Sequence, residues 1–212
     1  MKFKFLFLVI SFSYWIVFSQ ENNTPKKWLR IGVVYGFSSQ NTYLPQDSDY
    51  AYSSTIFKIS SHFNIAKKKK HSWEILVEPS YYRSNHESFN YWHAFFTKHA
   101  EDGMLRDKYM PFKTMNEYVL NMGIIYRYYL NLKSSIYVAG NSGPMYIDTD
   151  TERLKKGFAF SDVFSLGYNY KINKISVDAK CMIRHVSNLN FQYPNYGYNA
   201  VGFELGTYYE FN

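Results

Sequence analysis

The chain has 212 residues, 21% of them aromatic, and a formal net charge of +7 from 24 basic and 17 acidic residues. Its single cysteine, Cys181, excludes an internal disulfide, and the strand-like context favours a small apolar role over a reactive thiol. Beyond the N-terminus, no stretch is apolar over the roughly 20 residues that a spanning helix needs, so a helical membrane protein is excluded.

The N-terminus has the pattern of a secretory signal. Lys2 and Lys4 precede an apolar run from Phe5 to Phe18, and Ser19-Gln20 provides a small-residue cleavage point. We therefore expect a signal peptide over residues 1–19, a periplasmic segment over 20–27 and one domain over 28–212. A chain exported in this way is not expected to meet nucleic acid, despite its basic charge.

After the signal, apolar and polar residues alternate with a period of two, which predicts strands. In chain order the predicted strands are Trp28–Phe37, Thr55–Ile65, Ser72–Arg83, Tyr118–Leu130, Ser135–Ile147, Phe158–Lys171, Ile175–Ser187 and Tyr198–Phe211. Most have ten residues or more, which matches the 9–11 residues that cross a bilayer at a tilt.

The alternation divides each strand into an apolar face and a polar face. In the seventh strand, Ile175, Val177 and Ile183 share one face, while Asp178 and Arg184 share the other. A soluble lipocalin-like carrier would turn the apolar face inward, whereas a membrane barrel turns it to lipid. Asp162 is an exception, because it falls on the apolar face of its strand.

Loop lengths favour the membrane barrel. From a periplasmic N-terminus, the short connections are Ala66–His71, Asn131–Ser134 and Asn173-Lys174, and the longer ones are Ser38–Ser54, Ser84–Glu117, Asp148–Gly157 and Asn188–Asn195. Short periplasmic turns, longer outer loops and an even strand number are typical of outer-membrane proteins. The sequence thus predicts an all-β, eight-stranded antiparallel outer-membrane β-barrel. The charges predicted to fill its narrow lumen are Arg30, Glu74, Glu78, Arg127, Asp178, Lys180, Arg184 and Glu204.

One strand end carries residues that suit ester hydrolysis. His185 and Ser187 are two apart, so both project from the apolar, lipid-facing side of the seventh strand. An imidazole beside a hydroxyl can activate it as a nucleophile. The spacing alone is a weak signal, and polar residues capping a strand at the membrane interface explain it as well.

The segment His185-Val186-Ser187-Asn188, followed by Pro194-Asn195-Tyr196-Gly197, resembles the signature of PagL-type lipid A 3-O-deacylases, also called acyloxyacyl hydrolases. The stretches 143–153 and 156–162 resemble the branch of this family found in Bacteroidetes-like bacteria. The resemblance is specific over residues 118–211. It implies an eight-stranded outer-membrane barrel that cleaves an acyl ester of lipid A, with lipopolysaccharide as its partner and no cofactor.

The resemblance also implies roles for single residues. Ser187 matches the nucleophile, His185 the general base, and Asn188 the residue assigned to the oxyanion. The third, acidic member of the family's triad falls on Asn199, which is a departure. The parity of Asn199 puts it on the face of His185, and its oxygen can hold the histidine tautomer without providing a negative charge.

Three further points complete the prediction. Asn190 stands where well-known members carry a glycine, and Glu204 is rejected as a substitute acid because its parity points it into the lumen. No metal site is expected, since His86, His93 and His99 fit no metal motif. The alternative to an enzyme is a non-catalytic barrel, structural or lipopolysaccharide-binding, whose family site has decayed at Asn199.

Overall fold

The computed structural model describes residues 28–40, 49–89 and 108–211. The predicted signal peptide and residues 20–27 lie outside the described residues, as does much of the predicted loop Ser84–Glu117. No helix in the described ranges is long and apolar enough to cross a membrane.

The described ranges form eight strands: β1 (Trp28–Ser39), β2 (Tyr50–Lys67), β3 (His71–Ser88), β4 (Lys113–Tyr129), β5 (Ser134–Ile147), β6 (Gly157–Ile172), β7 (Ile175–Ser187) and β8 (Tyr198–Glu210). Each strand pairs antiparallel with the next in the sequence. Pairing of β1 with β8 closes the sheet into a barrel, so no strand edge is left open. The predicted fold class is therefore confirmed.

The apolar faces of the strands point outward. Val33 on β1 is 66% exposed, and Ile183 on β7 and Leu205 on β8 are about half exposed, while the residue that follows each of them is buried. A soluble carrier needs the opposite arrangement, so that alternative is wrong. Exposed apolar side chains around a closed barrel are the surface that lipid tails cover.

The interior is filled by charged side chains that pair with one another. Glu78 lies 3.5 Å from Lys58 and 3.1 Å from Lys180, and Glu204 lies 2.8 Å and 3.0 Å from the same two lysines. All four are buried. Each charge in this group therefore has two opposite charges as neighbours, so the four charges balance inside the barrel.

Similar pairing continues towards both ends of the barrel. Towards the end of the barrel with the short turns, Glu74 accepts a hydrogen bond from Arg127 at 2.6 Å and lies 3.8 Å from Arg30. Towards the end with the longer connections, Arg184 binds Glu117 at 2.8 Å and stacks 3.7 Å from the ring of Tyr82. The eight predicted interior charges are all buried here, and Lys58 and Glu117 are interior charges that the sequence pattern did not identify.

The strands are longer than predicted at one end. β2 begins at Tyr50 instead of Thr55, β3 runs to Ser88 instead of Arg83, and β4 begins at Lys113 instead of Tyr118. These extensions are rich in serine, asparagine and other polar residues, so they lack the apolar alternation on which the prediction rested. We call this end, which carries the longer connections, the outer end of the barrel.

Truncation of one interior carboxylate tests the importance of the pairing. Glu78→Ala leaves two buried lysines with only Glu204 between them, so we expect it to lower the free energy of unfolding by about 3–5 kcal/mol. Urea unfolding from lipid bilayers measures the change. The control is Lys133→Ala, at an exposed turn, which should leave the transition unchanged. An unaltered midpoint for Glu78→Ala would contradict the ion-pair account.

Candidate active site

The predicted catalytic residues come together at the outer end of β7 and β8. His185 and Asn199 are directly opposite residues of this antiparallel pair, and both are exposed on the outer face. The ring Nδ1 of His185 and the side-chain Oδ1 of Asn199 are 2.7 Å apart. Ser187 lies two residues further along β7 on the same face and is half-buried.

This arrangement fixes the protonation pattern of the imidazole. The carbonyl oxygen of Asn199 is an acceptor, so Nδ1 carries the hydrogen and Nε2 keeps its lone pair. A neutral ring in this tautomer can accept a proton at Nε2. Among the described contacts, no hydrogen bond joins His185 to Ser187, although such bonds often tighten only when substrate is present.

The loop that follows Ser187 is organised by Asn188. The backbone N–H of Asn188 donates to Asn195 Oδ1 at 2.8 Å, and its side-chain Nδ2 donates to the carbonyls of Gln192 and Pro194 at 2.7 and 3.3 Å. Its Oδ1 accepts from the N–H of Asn190 at 3.0 Å. The carboxamide of Asn188 is thus buried and directed into the loop, and its oxyanion role stays a prediction.

Three residues of this loop have left-handed backbone. The φ angles are 52° at Leu189, 62° at Asn190 and 68° at Gly197. Asparagine adopts this conformation more readily than most residues, so the loop can form without a glycine at position 190. A Cβ atom on Gly197 would lie 2.4 Å from the Val186 carbonyl oxygen and 3.5 Å from Cε1 of His185, so this glycine permits the close approach of the loop to the histidine.

An arginine from the connection between β5 and β6 holds the same loop, and the sequence pattern did not identify it. Arg153 Nε donates to the Gly197 carbonyl at 2.8 Å, and the Arg153 carbonyl accepts from the N–H of Tyr196 at 2.8 Å. Nearby, burial acts to raise the pKa of Asp150, but hydrogen bonds from the Lys156 N–H and Lys155 hold that pKa below its usual range. The connection between β5 and β6 is therefore held by its own hydrogen bonds, and Arg153 links it to the loop that follows Ser187.

Asp162, the exception in the sequence pattern, lies beside the site. It is directly opposite His185 in the pairing of β6 with β7, and Ser142 is opposite Asp162 in the pairing of β5 with β6. Ser142, Asp162, His185 and Asn199 thus form one continuous row across four strands, all exposed on the outer face. We call these four residues the polar row. Asp162 and His185 also line a shallow open groove of about 580 Å³.

Other candidate groups lie elsewhere. Glu204 is buried between Lys58 and Lys180, on the opposite side of the barrel wall from His185. His86 is buried 3.1 Å from Glu152, whereas His93 and His99 lie outside the described residues. Among the residues that the structure describes, no three His, Cys, Asp or Glu side chains are arranged to hold a metal ion.

The fold and the site define a class: a closed eight-stranded barrel with an apolar outside, a charged inside and an outward-facing serine and histidine at its outer end. The family model described as lipid A 3-O-deacylase (PagL) matches residues 82–208 of this chain. The chain belongs to the PagL family.

Comparison with solved structures agrees on the fold. The outer-membrane enzyme PagL is similar with a TM-score of 0.54 and 11% identity, over 84% of this chain and 97% of that chain. A de novo designed transmembrane β-barrel (TM-score 0.36, 11% identity, 88% and 98% covered) also matches, as does the outer-membrane protein OprG from Pseudomonas aeruginosa (TM-score 0.36, 10% identity, 87% and 95% covered). The comparison with curated proteins returned no match.

Gly197→Ala tests whether the loop conformation depends on the missing side chain. Left-handed backbone costs a residue with a Cβ about 1–2 kcal/mol, and the clash with the Val186 carbonyl adds to this. We expect chymotrypsin to cleave the loop at the exposed Phe191, Tyr193 or Tyr196 about tenfold faster than in the parent chain. Gly140→Ala is the control, since its Cβ meets nothing within 4 Å. Equal cleavage rates for the two variants would contradict this role.

Proposed function

We propose that the chain is an outer-membrane esterase that removes the acyl chain at the 3-position of lipid A. Membership in the PagL family supports the substrate class. The observation that carries the proposal is the 2.7 Å contact between His185 Nδ1 and Asn199 Oδ1 on the lipid-facing surface, with Ser187 on the same face. An oriented histidine beside a serine serves ester hydrolysis.

In the proposed mechanism, Nε2 of His185 takes the proton of Ser187 as the serine oxygen attacks the ester carbonyl carbon. The tetrahedral intermediate collapses, the bond to the sugar oxygen breaks, and His185 returns the proton to that oxygen. Water then attacks the acyl-enzyme with the same histidine as base, which releases the fatty acid and restores Ser187. Asn199 holds the ring in the tautomer that this sequence requires.

The oxyanion needs hydrogen-bond donors near Ser187. Both amide hydrogens of Asn188 are used by loop carbonyls in this structure, so we propose that Asn188 acts by shaping the loop. Backbone N–H groups at its start then become the donors. The first candidate is the N–H of Leu189, for which the described residues provide no acceptor.

The position of the site suits a substrate that stays in the membrane. Leu189 and Phe191 beside it are 57% and 67% exposed, and Tyr193 and Tyr196 are exposed in the same loop. Apolar and aromatic side chains of this kind favour the boundary between hydrocarbon and head groups. An acyl chain can therefore remain in hydrocarbon while its ester reaches Ser187 at the outer-leaflet interface.

A specific observation favours a second candidate, the non-catalytic barrel. Asn199 holds the place of the family's acidic residue, and a carboxamide cannot stabilise the imidazolium that forms during proton transfer. In serine proteases the equivalent Asp→Asn change costs about 10⁴ in rate. A barrel that binds lipopolysaccharide without cleaving it would need none of this chemistry.

Mass spectrometry of lipid A separates these two candidates. Expressed in a host with intact lipid A, the chain is expected to convert lipid A to a species lacking one hydroxyacyl chain. Ser187→Ala should abolish the conversion because it removes the nucleophile, with folding into the membrane checked by heat-modifiable gel migration. Unchanged lipid A with the folded parent chain would support the non-catalytic barrel.

Asn199→Glu tests the weakened third position. A carboxylate at this place would accept the Nδ1 hydrogen and also stabilise the protonated ring, so we expect kcat for a detergent-solubilised lipid A substrate to rise at least about tenfold. Asn199→Ala, which removes the acceptor, should lower kcat. If Asn199→Glu were no faster than the parent chain, position 199 would not limit the reaction.

A further inference from the structure

A carboxylate on the lipid-facing surface requires an explanation. Asp162 is exposed on the outer face of β6, where Phe164, Leu166 and Tyr168 follow it on the same side. Ionisable groups that face the membrane are costly and usually mark function. No ion pair with Asp162 occurs among the described residues, so pairing does not account for its position.

The register of the sheet places this carboxylate next to the catalytic histidine. Asp162 and His185 are directly opposite across β6 and β7, and side chains on one face of such a pair have Cβ atoms about 4.5–5.5 Å apart. Asn199 flanks His185 from the other side, in the next pair of the polar row. The imidazole therefore stands between a neutral hydrogen-bond acceptor and an acid.

Three described carboxylates in the middle and outer parts of the barrel are held in buried pairs. Glu117 is buried on Arg184, Glu152 on His86, and Glu204 on two interior lysines. All three side chains are buried. Asp162 is thus the carboxylate that shares both a face and a strand pairing with His185.

We propose that Asp162 is a positioning residue that supplies the negative charge missing at Asn199. This inference rests on the proposed function, because it assigns a role in the same reaction. The two tasks of the family's acid are divided: Asn199 accepts the Nδ1 hydrogen and holds the ring, and Asp162 stabilises the positive charge of the ring across the strand pair. No proton moves to Asp162, and Ser187 remains the group that attacks the ester.

The timing of the charge explains how a neighbouring carboxylate assists without touching the ring, although a carboxylate bonded to the ring at position 199 would act more strongly. In the proposed mechanism the ring of His185 gains positive charge as it takes the proton of Ser187, so stabilisation is needed in the transition state. An opposite charge within about 4–6 Å favours the charged form of a titratable group without a direct hydrogen bond.

The test measures serine reactivity in two independent ways. One assay follows lipid A deacylation, and the other follows the rate at which a fluorophosphonate probe labels Ser187, which needs an activated serine and no lipid substrate. Asp162→Asn keeps the shape and removes the charge. We expect it to lower kcat and the labelling rate at least about tenfold while KM changes less than about threefold. Asp162→Glu should retain most of both.

Rescue separates a charge effect from a structural one. In the Asp162→Asn background, Asn199→Glu restores a carboxylate on the other side of His185, so both rates should return to at least the parent value. Glu87→Gln is the matched control, because it removes a carboxylate at the outer end of β3, where its strand partner is Ala51 and no residue of the polar row is adjacent. It should leave both rates unchanged.

The outcomes distinguish this inference from the proposed function. Intact lipid A with probe labelling that falls in Asp162→Asn would overturn the proposed substrate and support the charge role. Lipid A cleavage that is equal in the parent chain and in Asp162→Asn would support the esterase and overturn the role of Asp162. Absence of both lipid A cleavage and labelling of Ser187 would overturn both proposals.

Discussion

The structure depends on a reversal of the usual packing rule: charged side chains fill the inside of the barrel, and apolar side chains cover the outside. Eight strands leave a lumen wide enough for side chains and too narrow for a channel. The lysines and glutamates that fill it are arranged so that each has opposite charges on two sides, as in the group of Lys58, Glu78, Lys180 and Glu204. Because a one-residue shift of register would turn the charges of a strand towards lipid, the pairing fixes the face of each residue on the strands that carry these charges.

That constraint places the candidate site on the outside of the barrel. His185 and Ser187 share the phase of Ile183, whereas the intervening Arg184 and Val186 are buried, so the histidine and serine face the membrane as a consequence of the interior packing. Paired charged side chains occupy the interior that the structure describes. The site can be reached sideways from the bilayer, and its loop is held by Asn188 and by Arg153 from the neighbouring connection.

Much of the fold and of the candidate site was predictable, because the strand period and the His185–Ser187 motif are both read from residues close together in the sequence. The period of two set the strand phase, and β7 was predicted with its observed bounds, Ile175–Ser187. The match at His185 and Ser187 identified the family from neighbouring residues. The prediction did not place Asp162 opposite His185, since cross-strand register depends on the geometry of the turn within the 22 residues between them. It also missed the outer extensions of β2, β3 and β4, where strands leave the membrane and both faces become polar, and the inward direction of the Asn188 side chain.

The polar row also answers a question that any esterase on a lipid-facing surface raises, namely how water reaches the acyl-enzyme. Hydrocarbon excludes water, yet the second half of the reaction consumes one molecule for each acyl chain released. Asn199 is the second residue of β8 and lies at the outer rim, and from there the row continues through His185 and Asp162 to Ser142 on the neighbouring strands. For the proposed reaction, we expect the exposed polar groups at this rim to let interfacial water reach the histidine. The polar row would then meet two needs of that reaction, a negative charge near the imidazole and access for water, and a purely apolar surface at these positions would meet neither.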